Sequence, residues 1–458
     1  MKILQINKQR GITLISLVIT IIVLIILAGV AINLSFGKNG LFSKAKYARE
    51  KYTNEEYLEQ EQLNEINAYL AKDGSLPENT KENPQEAGTE VKMPEEWYTV
   101  SPAYVSTEDG GIIKKEAKVA TVTAVATGDG ETVPVPVGFY YVGGNKDTGV
   151  IISDKKEDKY DGKTDKTTYE YTTSLQGNQF VWIPCEEKDY KKCDTWNGIE
   201  QKKGTLANSE WDTTTPEAEL IQIEKYGGFY VGRYEAGLAS DIKETKQNQK
   251  NLDKVYNVPG IPQSKAGIIP WIFIDWTNAK ANAKSMYNND KYKKYVSSGL
   301  ITGTQWDVIL NTLVNKTDLT SADVTNSNSW GNYKNNAILY TGRLAKVDYN
   351  SIISNAWGVK PFEEKNTGTT TKYNGENGDL LTTGASTIAQ KYHIFDLAGN
   401  VFEWTEENTN FSTSGQYRET RGGYCIGDSE TYPVCHRSAE DVDYTGLAVG
   451  FRVVLYIK

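Results

Sequence analysis

The segment FDLAGNVFEWTEE (Phe395–Glu407) combines a glycine turn, large aromatic side chains and several carboxylates. Gly399 permits a positive φ or a close backbone approach, which residues with a Cβ atom disfavour. Phe402 and Trp404 supply bulk that fixes an irregular loop against a core. Arg452, in the later stretch GFRVV, is expected to pair with buried carbonyls or a carboxylate, which is a structural role. These residues predict a loop-rich domain held together by aromatic side chains.

The same segment can serve as a calcium loop. Asp396 and Glu403 provide carboxylate oxygens, and the turn can direct the carbonyl oxygens of Gly399 and Val401 at the same point. Calcium prefers such oxygen ligands. The alternative is a metal-free turn in which Asp396 caps the backbone and Glu403 is solvated. The sequence favours a structural Ca²⁺ ion.

Composition and charge narrow the classes of function. The chain has 458 residues, a formal net charge of −9 and no basic stripe, so nucleic acid is not an expected partner. It contains two histidines, His393 and His436. A His-rich zinc or iron site usually needs two or three histidines together with carboxylates, so such a site is not expected here. The sequence motifs of serine hydrolases, zinc proteases, P-loop NTPases and dinucleotide-binding folds are absent.

The N-terminus carries the clearest targeting signal. Residues 1–11 form a basic leader with Lys2, Lys8 and Arg10, and residues 12–34 contain no charged side chain. Such a run can cross the hydrocarbon core of a bilayer, which needs roughly 20 apolar residues. Positive charge in front of the span keeps the N-terminus cytoplasmic. The sequence therefore predicts a single-pass protein of the cell membrane with an extracellular C-terminal domain.

The junction Gly11-Ile12-Thr13-Leu14-Ile15 resembles the processing site of type IV prepilins and pseudopilins. The resemblance implies cleavage after Gly11 by a prepilin peptidase, with Ile12 as the new N-terminus, and contacts with pilus or pseudopilus subunits. That family usually has Glu at the fifth mature position, which pairs with the neighbouring subunit's N-terminal amine. Ser16 occupies this position here, which argues against filament assembly. A simple signal anchor is the alternative.

Three regions are expected after the membrane span. Apolar residues at helical spacing indicate an amphipathic stalk helix over residues 35–72. Residues 73–97 are acidic, contain three prolines and indicate a linker. Residues 98–458 form the extracellular domain, where short strands alternate with Gly-rich turns. Its fold class is α+β, with irregular architecture and little regular secondary structure.

Several elements of this domain are predicted individually. Aromatic strands are expected at Asn178–Pro184 and Gly227–Ala236. One helix is expected after a capping Asp275, and another over Thr304–Val314. Surface insertions are expected in three polar stretches, namely residues 155–174, 238–256 and 315–335.

Spaced motifs in this domain follow the order of one family. They are GGFYVGRYEA, IPWIFIDWTNAKANAKSM, SGLITGTQWDVIL, SWGNY, FDLAGNVFEWTEE and RGGY…HRS…GFRVV. Over residues 130–458 they resemble the formylglycine-generating enzyme (sulfatase-modifying factor) family. The resemblance implies a C-type-lectin-like fold, shared with ligand-display proteins. It also implies a structural calcium bound by the residues matching Asp396, Gly399, Val401 and Glu403.

The cysteines decide whether the activity of that family is expected here. The formylglycine-generating enzymes hold copper(I) with cysteines four and nine residues after a Gly-Gly pair. After Gly422-Gly423 those positions are Gly427 and Tyr432, whereas the cysteines are Cys425 and Cys435. The resemblance therefore does not carry the oxidase activity over to this chain.

Local disulfides are the competing interpretation. An exported domain permits the pairs Cys425–Cys435 and Cys185–Cys193. Closing a loop of about ten residues contributes on the order of 2–3 kcal/mol. Disulfides are the first expectation, inert thiols the second, and a Cu⁺ site of Cys425 and Cys435 the third.

Two functions follow from these interpretations. The first is a membrane-anchored or pilin-like surface protein whose domain binds an unknown extracellular ligand through Tyr424–Asp443. The second is an exported, copper-dependent formylglycine-generating oxidase acting on peptide cysteine. The shifted cysteine register favours the first, non-enzymatic function. Its expected contact residues are Tyr424, Asp428, Glu430, Tyr432 and His436.

Overall fold

The structure, a computed structural model of the chain, describes one of its two compact units. The units are Met1–Glu82 and Asn83–Lys458, and every described residue lies in the second. The predicted leader, membrane span and stalk therefore lie outside the described residues. Within the described part, no helix is long and apolar enough to cross a membrane. The described residues are 87–106, 112–127, 129–156, 177–192, 217–240, 256–339, 345–347, 359–361, 370–372, 380–385, 389–409 and 417–458.

The largest sheet has six strands, all antiparallel to their neighbours. Both of its faces are covered, because alternate residues of one strand enter different cores: Phe180 packs in one hydrophobic cluster and Val181 in another. The two aromatic strands predicted from the sequence are its central members, which confirms them. Its strands in chain order are β6 (Tyr140–Gly143), β7 (Val150–Ser153), β8 (Gln179–Pro184), β9 (Gly228–Gly232), β10 (Val296–Leu300) and β21 (Val453–Ile457).

A second sheet grows out of the segment that opens with Phe395. Its strands are β17 (Phe402–Thr409), β18 (Tyr417–Arg421), β19 (Arg437–Asp441) and β20 (Val449–Phe451), in the spatial order β19-β18-β17-β20. Strand β20 runs parallel to β17, whereas the other pairs are antiparallel. The loop that joins β18 to β19 contains both downstream cysteines.

The predicted linker boundary at residue 98 is too late. Strand β1 (Glu90–Val91) pairs with β4 (Val122–Ala126), and the Trp97 side chain is buried against Tyr226. These contacts place the end of the predicted linker inside the folded unit. The remaining strands of this region are β2 (Thr99–Ser106), β3 (Ile112–Val119) and β5 (Thr132–Pro136).

Small strand pairs complete the described sheets. Each has two or three residues per strand and pairs antiparallel: β11 with β14, β12 with β13, and β15 with β16. Their bounds are β11 (Ala337–Leu339), β12 (Ala345–Val347), β13 (Val359–Pro361), β14 (Thr370–Lys372), β15 (Gln390–Lys391) and β16 (Ile394–Phe395).

The described helices are few, and both predicted ones are confirmed. In α2 (Trp276–Ser285) the Asp275 carboxylate caps the first turn. Helix α3 (Gly303–Lys316) begins with a reciprocal capping box between Thr302 and Gln305. The others are α1 (Glu217–Tyr226), which the sequence patterns did not predict, α4 (Ser321–Asn326) and the 3₁₀ turns Glu95–Trp97 and Glu187–Asp189.

One predicted surface insertion is wrong. Residues 315–335 contain α4 and contribute Trp330, Asn332 and Tyr333, all of which are buried. These side chains can be buried because their polar atoms are satisfied: the Trp330 indole donates to the Asp323 carbonyl and the Tyr333 hydroxyl to the Gly422 carbonyl. The polar composition of the segment therefore does not reveal its packing in the core. The domain as a whole is mixed α and β, mostly strands with few helices, in agreement with the α+β prediction.

Candidate functional site

The segment at Phe395 folds into a strained turn between β16 and β17. Asp396 and Asn400 have positive φ values of 57° and 59°, which non-glycine residues seldom adopt. Gly399 has a φ of 74°, and a Cβ atom there would lie 2.2 Å from the Asn332 carbonyl oxygen. The predicted need for glycine at this position is therefore confirmed. Backbone strain of this kind persists only where surrounding contacts hold it.

Arg452 holds the end of the turn from inside the core. Its Nε lies 3.1 and 3.0 Å from the two carboxylate oxygens of Glu403. Its two terminal nitrogens donate to the carbonyls of Gly232 and Phe395, each at 3.0 Å. The prediction that Arg452 pairs with buried carbonyls or a carboxylate is confirmed on both counts.

Two further carboxylates surround this pair. Gly384 N–H donates to Asp396 Oδ2 at 2.6 Å, whereas Asp396 Oδ1 is buried without a hydrogen-bond partner among the described residues. The Asn400 amide donates to Glu235 Oε2 at 2.6 Å. Glu235, Asp396, Glu403 and Arg452, all fully buried, are hereafter the acidic cluster.

The acidic cluster has more carboxylates than cations. Burial raises the pKa of Asp396 to about 7 and also raises that of Glu403, which Arg452 partly opposes. Burial, with the negative charges of Asp396 and Glu403, raises the pKa of Glu235 well above its ordinary value. One guanidinium cannot neutralise three carboxylates, so the cluster retains protons near neutral pH.

The structure fits the predicted calcium loop only in part. Asp396 offers an oxygen without a partner, and the surplus negative charge suits a cation. Glu403 does not fit, because Arg452 occupies both of its oxygens. Within the described ranges, no group of three or more His, Cys, Asp and Glu side chains is arranged to hold a metal ion. A calcium ion bound by Asp396, Gly399, Val401 and Glu403 stays a prediction.

A second buried charge cluster joins α3 to the second sheet. Arg421 and Arg437 both ion-pair with the Asp307 carboxylate, one to each oxygen. Arg437 Nε also lies 2.9 Å from Glu419 Oε1. These four side chains are at most 1% exposed, and they are hereafter the arginine network.

Neither predicted disulfide forms. Cys185 and Cys435 are free thiols, so the pairs Cys185–Cys193 and Cys425–Cys435 are both absent. Cys425 and Cys435 are buried in different hydrophobic clusters, because the β18–β19 loop turns between them. Cys193 lies outside the described residues.

The Cys435 thiol is not poised for reaction. Its side chain is buried, and burial raises its pKa to about 12, against the opposing effect of Arg421 and Arg437. Because the thiolate is the nucleophile and metal ligand, such a thiol is inert at neutral pH. The structure therefore agrees with the second expectation for the cysteines, inert thiols.

Aromatic rings gather where the β18–β19 loop crosses the start of β17. Tyr424 stacks on Phe402 at 4.9 Å between ring centroids, and Tyr432 meets Tyr424 edge-on at 5.2 Å. His436 packs at 5.1 Å from Tyr432. Tyr424 and Tyr432 are half-buried, whereas His436 is 1% exposed and lies beneath them. Phe402, Tyr424, Tyr432, His436 and the exposed Tyr444 are hereafter the aromatic surface.

The acidic residues predicted beside these rings lie on a fixed turn. Glu430 is exposed and accepts a hydrogen bond from the Asn328 amide at 2.9 Å. Asp428 is half-buried and accepts from the Glu430 N–H at 3.0 Å. Ser429, between them, exchanges two hydrogen bonds of 3.0 Å with Asn335. The loop is therefore anchored on the segment that follows α4.

Sequence reasoning missed Glu235 of the acidic cluster and all four residues of the arginine network. Glu235 is the penultimate residue of the quoted motif GGFYVGRYEA, and Asp307 is the single acid within the apolar helix TQWDVILNTLV. Both are 0% exposed. The sequence did contain a signal for them. A single acidic residue within an apolar stretch is seldom buried unless it is paired, so an arginine elsewhere in the chain was to be expected as its partner.

Residues 130–457 match the sulfatase-modifying factor enzyme 1-like domain, FGE-sulfatase. No curated protein matches the sequence. The crystal structure of CarF is similar at 11% identity and a TM-score of 0.30, covering 56% of this chain and 96% of CarF. Treponema denticola variable protein 1 is similar at 14% identity and a TM-score of 0.28, covering 61% and 96%. On the match over residues 130–457, the chain belongs to the sulfatase-modifying factor enzyme 1-like family.

Proposed function

We propose that this protein is a membrane-anchored or pilin-like surface protein that presents its sulfatase-modifying-factor-like domain for ligand binding. The aromatic surface is the proposed recognition site. The observation that carries the proposal is the packing of half-buried Tyr424 and Tyr432 over Phe402, beside an exposed Tyr444. Tyrosines held in this way offer an apolar face and a hydroxyl to the same ligand.

The fixed loop supports this proposal energetically. Binding is weakened by the cost of ordering mobile side chains and loops. Here ring contacts hold the tyrosines, and the two hydrogen bonds that Ser429 exchanges with Asn335 hold the acidic turn. The aromatic surface needs little further ordering when a ligand arrives. Sugars and peptides both present C–H groups and hydrogen-bonding groups that suit tyrosine.

The membrane anchor rests on the sequence pattern of residues 1–34. An uncharged run of this length, behind a basic leader, directs the C-terminal domain out of the cell. Cleavage after Gly11 by a prepilin peptidase and contacts with pilus or pseudopilus subunits belong to the same proposal. Mass spectrometry of the N-terminus of the membrane-extracted protein tests it, since processing yields a chain that starts at Ile12.

Binding of the full-length chain to a glycan array and a peptide array tests the recognition site. Tyr432→Ala and Tyr444→Ala are expected to abolish the bound spots. Tyr140→Ala is the matched control, because Tyr140 is a similarly exposed tyrosine, at 42% against 43% for Tyr444, on a different sheet. Equal loss of binding in all three variants contradicts the assignment. The assignment is also contradicted if a ligand identified on the array binds the chain but does not protect Tyr424–Asp443 from hydrogen exchange.

The oxidase alternative has a separate test. Incubation of the chain with copper(I), oxygen and a cysteine-containing peptide is expected to yield no aldehyde, because Cys435 is a buried, protonated thiol. Aldehyde formation that disappears in Cys435→Ser would replace the binding proposal by the enzymatic one.

A further inference from the structure

A recess of about 520 Å³ lies at the edge of the six-stranded sheet. Strand β10 is the edge strand, and the recess is lined by residues from β10, from helix α1 and the end of α2, and from the end of β21. None of the side chains of the aromatic surface lines it. The recess is therefore separate from the proposed recognition site.

Glu219 of α1 forms part of the inner wall of this recess. Its side chain is only 2% exposed. Its Oε2 accepts hydrogen bonds from the hydroxyls of Tyr190 and Thr302, the latter at 3.0 Å. Its Oε1 is buried and has no hydrogen-bond partner among the described residues. A buried carboxylate oxygen without a partner is costly, so a ligand that brings a donor is stabilised there.

Cationic side chains line the other end of the recess. Lys458 donates to the Lys293 carbonyl at 2.8 Å, and its own N–H donates to the Tyr295 carbonyl at 3.0 Å. Both lysines therefore lie before the start of β10, whereas Thr302, which contacts Glu219, lies after its end. The strand advances roughly 13 Å between these ends. The Lys293 ammonium ion-pairs with the exposed Asp290, so the positive charge at this end is that of Lys458. The recess thus has a negative end and a positive end.

The groups facing Glu219 leave its charge available. Glu406 also lines the recess, but it ion-pairs with Lys280. The Lys192 ammonium is taken by Glu407. Burial raises the pKa of Glu219 to about 7, opposed by the hydroxyls of Tyr190 and Thr302 and by Lys192, and assisted by the charge of Glu406. Tyr456, the remaining titratable neighbour, stays protonated because burial raises its pKa. Glu219 is therefore ionised in mildly alkaline solution.

We propose that this recess binds a short peptide-like zwitterion, with the ammonium group at the Glu219 carboxylate and the carboxylate at Lys458. Three extended residues span roughly 10 Å. A hydrogen bond of about 3 Å at each terminus extends this reach beyond the roughly 13 Å that β10 advances. The ammonium supplies the donor that Glu219 lacks. Lys284 also lines the recess.

Calorimetric titration of the full-length chain with tri-L-alanine tests the site. Binding is expected at pH 8, and a weaker affinity at pH 6, because Glu219 gains a proton in between. N-acetyl-trialanine lacks the ammonium and trialanine amide lacks the carboxylate, so both are expected to bind more weakly. In Glu219→Gln the affinity for trialanine should fall roughly 10- to 100-fold, as for other hydrogen bonds to charged groups.

Matched variants separate this site from a general effect on the fold. Glu224→Gln removes an exposed carboxylate from the same helix and should leave the affinity unchanged. Tyr432→Ala should also leave it unchanged, since the aromatic surface is separate. The proposal is overturned if trialanine does not bind at pH 8, if the acetylated peptide binds equally well, or if folded Glu219→Gln retains the wild-type affinity.

Discussion

The arginine network and the acidic cluster are both fully buried, yet they balance their charges differently. In the arginine network two carboxylates, Asp307 and Glu419, face two guanidinium groups. In the acidic cluster Glu235, Asp396 and Glu403 share the single Arg452. A buried ion pair is tolerated when charge and hydrogen bonds are complete. A buried surplus charge is removed instead by a proton or a bound cation.

This difference assigns different roles to the two clusters. The arginine network matches two carboxylates with two guanidinium groups and ties α3 to β18 and β19, so we assign it a structural role. The acidic cluster has a surplus of carboxylates, and it lies under the strained turn at Asp396 and Asn400. We therefore expect the stability of the fold to depend on pH through the acidic cluster.

The largest expected effect comes from removing Arg452. Arg452→Met leaves the acidic cluster with no cation, so unfolding free energy should fall by roughly 3–5 kcal/mol, the range for breaking a buried pair. Arg437→Met should cost less, because Asp307 keeps its ion pair with Arg421. Urea unfolding at pH 8 measures both.

Two outcomes bear on that ranking. Lys188→Met, which breaks an exposed ion pair with Glu186, is the control and should give no measurable change. If Arg437→Met is as costly as Arg452→Met or costlier, the distinction between the two clusters fails.

The pH dependence of stability is the next effect in size. The pKa of Asp396 is about 7 in the folded chain and about 4 in an unfolded one, so the folded state holds an extra proton between these values. Its contribution to stability is present below pH 4 and is lost as pH rises through 7. The slope is at most about 1.4 kcal/mol per pH unit for each such proton. Urea unfolding at pH 5, 6, 7 and 8 should show this loss.

Asp396→Asn is the variant that checks this source. It removes the titrating group and should flatten the slope, whereas Asp428→Asn, in the β18–β19 loop and outside the acidic cluster, should leave it unchanged. If the wild-type free energy of unfolding rises between pH 5 and 7 and Asp396→Asn does not change this, the acidic cluster does not carry a buried surplus of negative charge.

Added calcium is expected to change the stability measured at pH 8. An ion bound by Asp396 would replace the protons, so millimolar calcium should restore stability at pH 8 in the wild type but not in Asp396→Asn. The chelator EDTA should then reverse the gain. If added calcium leaves the urea unfolding midpoint unchanged, protons alone compensate the surplus negative charge of the acidic cluster, and the calcium loop is rejected.

Local signals explain what the sequence predicted. The cap at Asp275, the aromatic strands and the glycine at 399 depend on near neighbours, and the structure agrees with each. Burial of Arg452 beside a carboxylate also followed, since a lone arginine in an apolar strand needs a partner.

Long-range contacts explain what the sequence did not predict. Glu235 is 165 residues from Asn400, and no local pattern links them. In the polar segment at Trp330, the Tyr333 hydroxyl donates to the Gly422 carbonyl 89 residues away, a contact that composition does not reveal. Sequence proximity suggested the Cys425–Cys435 disulfide, but the intervening turn directs the two side chains into different clusters. The candidate sites thus depend on tertiary contacts between motifs.

The smallest effect concerns Cys435, and it reports on the balance of the arginine network. Native Cys435 should resist N-ethylmaleimide, because burial keeps its pKa at about 12. Arg421 and Arg437 would lower this pKa further if Asp307 did not neutralise them. Asp307→Asn should therefore speed labelling, measured by mass spectrometry of the Cys435 peptide. Labelling of Cys185 controls for global opening, because its pKa is raised by burial and by Asp189 and Glu186, not by the charges of the network. If both thiols react faster together, the variant has merely loosened the fold, and only a selective gain at Cys435 reflects released guanidinium charge.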